Sequence, residues 1–178
     1  HRPATSIITV SYGQELSDSL ARSCRQVMQQ PWYERLFPRT RLSPNRQAVH
    51  SFETTAGGAR VATSVGGVLT GMGADIIVID DPVKPDEALS EVERKRANEW
   101  FRHSLATRLN DKLTGAIVVV MQRLHEDDLV GQIKELEDWE VLSFSAIAEV
   151  DEVHEVRTPF GTYTHVRRTG EALHPERE

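Results

Sequence analysis

Short runs of β-branched and aliphatic residues alternate along this chain with amphipathic helical segments, and this alternation restricts the possible folds. Apolar strands are predicted at 7–10, 76–79 and 115–121, because each run is too short for a buried helix. Strands that are apolar on both faces are typical of a parallel sheet that helices cover on both sides. We therefore predict an α/β fold with a mainly parallel sheet flanked by helices.

Turn and capping signals predict the elements around this sheet. Gly57 and Gly58 separate two strand-like segments and predict an antiparallel hairpin at about 49–63. Ser90 and Glu93 form a capping box that begins a helix. The other expected elements are a helix after Gly13 with Leu16, Leu20, Cys24 and Val27 buried, an irregular connection over 32–45, a helix capped by Asp127 or Asp128 with Leu129, Ile133 and Leu136 buried, a strand at 141–148, and a hairpin around 159–161.

Composition places the chain among ordinary globular proteins. It has 178 residues, 39% of them hydrophobic, and a formal net charge of −6, which excludes a disordered or fibrous chain. The single cysteine, Cys24, cannot form an internal disulfide and favours a reducing compartment. Because no apolar run approaches the length of a membrane span, we expect a cytoplasmic protein without membrane contact.

The residues that follow two of the predicted strands carry most of the chemistry. Asp80 and Asp81 follow the run at 76–79, and Gln122 follows the run at 115–121. Ligands bind at the carboxyl ends of parallel strands, so these side chains are expected at one edge of the sheet. In one interpretation Asp80 holds Mg²⁺ on nucleotide phosphates, Asp81 activates water, and Gln122 senses the terminal phosphate. In the other, Asp81-Pro82 begins an ordinary turn and Gln122 is a loop residue.

Two further motifs have a structural and a functional interpretation. The glycine-rich loop at 66–73 has Met72 where a phosphate-binding loop needs lysine, so a hairpin tip is favoured over a phosphate or DNA contact. The acids at 126–128 follow His125 and precede a predicted helix, where negative charge is favourable. A helix cap is therefore favoured over a metal site there.

Taken together, these motifs make the chain resemble the large subunit of a bacteriophage or prophage terminase, the motor that packages DNA. The resemblance extends from about Ile7 to Glu178. The matching segments are 10–16, 62–67, 70–75, 76–82, 98–101, 107–109, 115–121, 122–129 and 170–177.

The resemblance implies an ATPase core of the P-loop class (RecA/ASCE-like) over 1–149, followed by a polar extension over 150–178 that leads toward a nuclease domain. It implies that Asp80 is the Mg²⁺ carboxylate, Asp81 the catalytic carboxylate, and Gln122 part of the coupling motif, with ATP and Mg²⁺ as substrate and cofactor. It also implies double-stranded DNA, a terminase small subunit and a portal protein as partners, in the cytoplasm of a bacterial host.

The family's phosphate-binding strand and its nuclease acids have no counterpart in this sequence. We therefore expect a middle fragment that neither hydrolyses ATP nor cuts DNA alone. The family's phosphate-binding strand lies between the strands expected at 115–121 and 141–148. An exposed sheet edge is expected there, with possible homodimerisation through the incomplete sheet.

Two other functions remain open from the sequence. A metal-dependent nuclease or phosphodiesterase would need Asp75, Asp80, Asp81 and the acids at 126–128 to converge on one metal ion. A non-catalytic DNA-binding or assembly module from a decayed prophage would bind DNA without any effect of nucleotide.

Overall fold

The computed structural model describes residues 2–136 and 138–174. The chain divides into two compact units, His1–Glu137 and Asp138–Glu178. The domain boundary proposed from the sequence, between 149 and 150, stays a prediction. Among the described residues, no helix combines the length and the apolar composition needed to cross a membrane.

The first unit is built on a mixed six-stranded sheet that is mainly parallel, which confirms the α/β prediction. The strands lie in the order β2-β3-β4-β1-β5-β6. β1, β4, β5 and β6 are parallel to one another, and β2 and β3 add an antiparallel edge. The elements of this unit are β1 (Ser6–Ser11), α1 (Gln14–Met28), α2 (Pro31–Leu36), β2 (Leu42–Gln47), β3 (Ser51–Thr54), β4 (Ala59–Ser64), β5 (Ile76–Asp80), α3 (Glu91–Trp100), β6 (Ala116–Val120) and α4 (Leu129–Lys134).

The predicted hairpin at about 49–63 is confirmed as β3 and β4. The capping box is confirmed in part, because Ser90 Oγ accepts a hydrogen bond from the backbone N–H of Glu93 at 3.5 Å and begins α3. A short π-helical segment, Phe101–Leu105, continues α3. Ile8, Val10, Ile77 and Ile79 are at most 2% exposed, and these apolar residues alternate along β1 and β5 as a single face requires.

The opposite face of the sheet is covered over β1 and β4 by α1. No residue of its predicted stripe is fully buried: Leu16 and Cys24 are half-buried, and Leu20 and Val27 are exposed. The buried residues of the helix are Ser17 and Ala21. Ser17 Oγ bonds to Thr63 O and to Ser11 Oγ, so the helix turns its small residues toward the sheet. Small side chains at these positions let the helix and the strands approach closely.

The strand β6 differs from the expectation that both of its faces are buried. β5 is its only neighbour among the described residues, so its outer edge is unpaired. Val118 and Val120 are 45% and 54% exposed. They lie on the face of the sheet that α1 covers, but α1 packs on β1 and β4 and not on β6. An exposed edge at this strand was expected. The strand expected at 141–148 is wrong, since that segment has only an isolated bridge between Ile147 and Ala172.

Two other expectations are also corrected. The segment 32–45 is not irregular throughout: Pro31 occupies the first turn of α2, where it needs no hydrogen-bond donor, and Leu42 begins β2, which pairs with β3. Leu136 is exposed rather than buried, because α4 ends before it at Lys134. Leu129 and Ile133 of the same helix are buried, as predicted.

The second unit contains the predicted hairpin, formed by β7 (Glu152–Thr158) and β8 (Gly161–Arg167). Arg167 is 3% exposed and binds both carboxylate oxygens of Glu152 at 3.0 Å. Its Nη1 donates to Ser145 O at 2.8 Å. This buried guanidinium therefore ties the hairpin to the segment that precedes it.

Candidate functional site at the carboxyl ends of β5 and β6

The two predicted site segments lie side by side at one edge of the sheet. β5 and β6 are parallel neighbours, and Asp80 is in register with Val120. The backbone N–H of Asp81 continues the pairing, with a bond to Val120 O at 2.9 Å. Asp80 is thus the last residue of β5 and Asp81 follows it, while Gln122 lies two residues beyond the end of β6 at the same edge of the sheet.

Asp81 has an unusual backbone conformation. Its φ is +45°, and among the described residues it is the only non-glycine with a positive φ. Proline at the next position disfavours helical conformations further. The residue is held from both sides, because its N–H donates to Val120 O and its C=O accepts from Tyr12 N at 3.0 Å. Backbone strain of this kind costs on the order of 1 kcal/mol and clusters at functional sites.

The two acids border different cavities. Asp80 lines a cavity of about 230 Å³ with Ser11, Ser17 and other residues of β1, α1 and β5. Asp81 and Gln122 together line a cavity of about 20 Å³. The structure thus brings Asp81 and Gln122 to one cavity and places Asp80 beside them on the other side of the sheet edge.

Burial raises the pKa of Asp80, and the neighbouring charge of Asp81 raises it further. Arg60 lines the same cavity. Arg60 and Ile76 are both paired with Ile7, however, so Arg60 lies at the level of Ile76 in the sheet. The backbone of Arg60 is therefore offset from that of Asp80 by four residues, or about 13 Å, along the strand direction. Burial and the charge of Asp81 both make the charged form of the Asp80 carboxylate less favourable, and a cation close to this carboxylate would offset them.

This arrangement fits Mg²⁺, which binds proteins through one or two carboxylates and keeps its other positions for water and phosphate oxygens. Asp80 would hold it, and the ion would neutralise charge on phosphates at this edge. Among the described residues, no group of three or more His, Cys, Asp or Glu side chains could hold a metal ion by itself.

The turn after β6 is held by Asp128. Its Oδ1 accepts from Gly131 N at 2.9 Å and so caps α4, and its Oδ2 accepts from Arg123 Nε at 2.8 Å. His125 Nδ1 accepts from Asp127 N at 3.0 Å. The segment 125–128 therefore acts as a helix cap that fixes the turn next to Gln122.

The other acids singled out by the sequence lie elsewhere. Asp75 is at the amino end of β5, about 16 Å from Asp80 along the strand. It accepts from Ser6 N at 2.8 Å and from Asn110 Nδ2 at 3.0 Å, and these bonds lower the pKa of Asp75. The acids required for a nuclease with one shared metal ion are therefore not brought together.

The glycine-rich loop is fastened through its backbone. The carbonyls of Val65, Gly67 and Leu69 accept from Arg96, Trp100 and Arg108 respectively. Gly66 and Gly71 have positive φ values, which glycine adopts without steric cost. The prediction of a hairpin tip is wrong, because the loop connects β4 with β5, which are parallel and lie on either side of β1.

Sequence reasoning missed Arg94, which is 8% exposed and lines the cavity of Asp81 and Gln122. It shares a helical stripe with Ala97, Phe101 and Leu105, which are buried. The spacing of this stripe was visible in the sequence. A charged residue on a buried stripe was the signal that could have identified it.

No protein-family model and no curated protein matches this chain. Any functional assignment therefore depends on the geometry of this edge of the sheet and on the residues that form it.

Proposed function

We propose that this chain is part of the ATP-hydrolysing motor of a terminase large subunit, with a P-loop type of core. The observation that supports the proposal best is the pairing of β5 with β6, since it places Asp81 and Gln122 on one cavity at the carboxyl edge. The constrained backbone of Asp81 is a second support. Double-stranded DNA, a small subunit and a portal protein in a bacterial host are the proposed partners.

The three site residues have separate roles in this proposal. Asp80 holds Mg²⁺ against the phosphates of ATP. Asp81 orients the attacking water and accepts its proton as the bond between the β–γ bridging oxygen and the γ-phosphorus breaks. Gln122 donates a hydrogen bond from its amide to the terminal phosphate. A change in the position of Gln122 then moves the turn that Asp128 holds.

The phosphate-binding loop belongs to a further strand in this proposal. The unpaired edge of β6 and the exposed Val118 and Val120 offer a place for such a strand beside the site. Polypeptide 1–178 alone is expected to show no ATPase activity above background. Robust turnover by the purified 178-residue chain would contradict this part of the proposal.

The test is ATP hydrolysis by the longest natural protein that contains this chain. Asp80→Asn and Asp81→Asn are expected to lower kcat by at least about 100-fold, since each removes a charge from the reacting centre. Gln122→Ala is expected to lower DNA-stimulated turnover. The matched control is Asp86→Asn, because Asp86 is exposed outside the cavity. Wild-type turnover in Asp80→Asn or Asp81→Asn would reject the proposed function.

A further inference from the structure

The basic residues of this chain are distributed unevenly. Residues 19–50 contain six arginines, no lysine and one acid, Glu34, and so carry a formal charge of +5, although the whole chain carries −6. No lysine occurs before Lys84. A guanidinium group can bind a phosphate through two parallel hydrogen bonds, whereas the ammonium group of lysine acts as a point charge. The composition of this segment therefore suits a phosphate-rich partner.

Side-chain contacts bring the elements that carry these arginines to one edge of the sheet. Arg25 Nη1 of α1 donates to Gln47 O, at the end of β2, at 2.6 Å. Arg41, which directly precedes β2, forms an ion pair of 2.8 Å with Glu34 of α2. β2 is an outer strand of the sheet, at the opposite edge from β6. We call the six residues the arginine surface: Arg22, Arg25, Arg35, Arg39, Arg41 and Arg46.

Three members of the arginine surface have no acidic partner. Arg22, Arg35 and Arg39 are exposed, and their guanidinium groups form no ion pair or hydrogen bond within the part of the chain that the structure describes. Exposed cations in and just before α3 are instead paired with acids, namely Lys84, Lys95 and Arg96. The arginine surface thus presents positive charge that its own neighbours do not neutralise.

We propose that the arginine surface binds the phosphate backbone of double-stranded DNA. Its extent fits this partner, because β2, from Leu42 to Gln47, is up to about 16 Å long and about five base pairs of duplex occupy that length. Phosphate contacts alone carry no sequence information, so the binding is independent of base sequence. The choice of DNA rests on the proposed function, whereas the unneutralised charge follows from the positions of the arginines.

The arginine surface is separate from the edge that carries the acid pair. β2 and β5 are four strand spacings apart in the sheet, or about 19 Å. DNA bound along β2 leaves Asp80 and Asp81 accessible, so Asp81→Asn is expected to keep the DNA affinity of the wild type. A loss of affinity in Asp81→Asn would place the DNA at the acid pair and would overturn the inference.

The test is the binding of a short, fluorescently labelled duplex to the 178-residue chain, measured by anisotropy between about 50 and 200 mM salt. The triple variant Arg22→Gln, Arg35→Gln, Arg39→Gln removes the three unpaired charges. Each phosphate contact contributes about 0.9 to the slope of the logarithm of the binding constant against that of the salt concentration, so the slope should fall by about 2.7. The affinity at about 50 mM salt should fall at least tenfold. Because these side chains form no bonds in the fold, the urea midpoint should not change.

The matched control removes three exposed cations of the first unit that lie outside residues 19–50. It is the triple variant Lys95→Gln, Lys112→Gln, Lys134→Gln. The control changes the net charge by the same amount and is expected to bind DNA as the wild type does. Equal weakening in the two triple variants would show that net charge alone controls binding, and would overturn the proposal. Absence of duplex binding to the wild-type chain at about 50 mM salt would overturn it as well.

Polyglutamate and vesicles of anionic phospholipid test the other classes of partner. The wild-type chain is expected to bind the duplex more tightly than either of them. Tighter binding to polyglutamate would indicate an acidic protein as the partner, and tighter binding to the vesicles would indicate a membrane surface. Either result would overturn the choice of DNA.

The proposed function is judged separately, by ATP turnover. Turnover in the longest natural protein, without duplex binding by the 178-residue chain, would overturn the role of the arginine surface alone. Duplex binding that depends on the arginines, without turnover in the longest natural protein, would count against the proposed function and leave the arginine surface standing.

Discussion

Replacement of Asp128 tests how the turn beside Gln122 is held. Asp128 is 4% exposed and makes two distinct bonds, a helix cap to Gly131 N and an ion pair with Arg123. Loss of an N-cap side chain costs about 1 kcal/mol. Because the side chain of Arg123 is 45% exposed, the ion pair is screened by solvent and is worth only about 0.5 kcal/mol.

These magnitudes predict an ordered series of stabilities. Asp128→Ala loses both bonds, and the free energy of unfolding should fall by about 1.5 kcal/mol. Asp128→Asn keeps an oxygen that can accept from Gly131 N, so it should lose only about 0.5 kcal/mol, the contribution of the ion pair. Arg123→Ala should lose the same amount as Asp128→Asn, since it removes the same ion pair from the other side.

Urea unfolding measured by tryptophan fluorescence would check this series. A Trp139→Phe background leaves Trp32 and Trp100, both of the first unit, as reporters. With a urea dependence of about 1–3 kcal/mol per molar, Asp128→Ala should lower the midpoint by about 0.5–1.5 M. If Asp128→Asn is as destabilising as Asp128→Ala, the cap does not account for the stability. If Asp128→Ala leaves the midpoint unchanged, the geometry of the turn is wrong.

Three other perturbations follow from the same structure. Asp80→Asn should be more stable than the wild type at pH 7 in a metal-free urea titration, because the raised pKa of Asp80 means that ionisation costs the folded state. The gain should shrink as pH falls through the folded pKa, and a pH-independent difference would contradict the reasoning. In thermal denaturation, Asp81→Gly should be more stable than Asp81→Ala by about 1 kcal/mol, since only glycine adopts a positive φ freely. The opposite order would show that the backbone of Asp81 is not strained. Hydrogen bonds from Arg167 lower the pKa of Glu152, so the hairpin β7–β8 should keep its full stability above the usual glutamate pKa of about 4.3 and lose part of it as pH falls through the folded value. Hairpin amide shifts between pH 2 and 6 measure this, and Glu152→Gln should remove most of the pH dependence.

The central strands could be predicted from the sequence because local composition and burial agree there. The runs at 7–10 and 76–79 and the run that becomes β6 are apolar and β-branched, and all three form parallel strands. Ser90 and Asp128 were also accessible, because a cap is a local interaction between residues three apart. Short-range signals therefore located the edge that carries Asp81 and Gln122.

Positions that depend on long-range packing could not be predicted in the same way. Ser17, which lies on the buried face of α1, bonds to Thr63 O, 46 residues away, and the local periodicity of the helix does not indicate such a contact. The segment at 141–148 has the composition of a strand, but only Ile147 forms a bridge there. Strand propensity needs a neighbouring strand with free backbone groups, and local sequence does not specify one.

The backbone conformation of Asp81 could not be inferred from the acid pair in the sequence. An acid pair after an apolar strand is compatible with an ordinary turn, and the sequence alone left that interpretation open. The fold instead holds Asp81 at a positive φ through Tyr12 N and Val120 O, two partners far from it in sequence and on either side of β5. Because the conformation is disfavoured locally, it persists only where tertiary contacts enforce it. Those contacts hold Asp81 at the cavity that Gln122 and Arg94 also line, while Asp80 borders the other cavity.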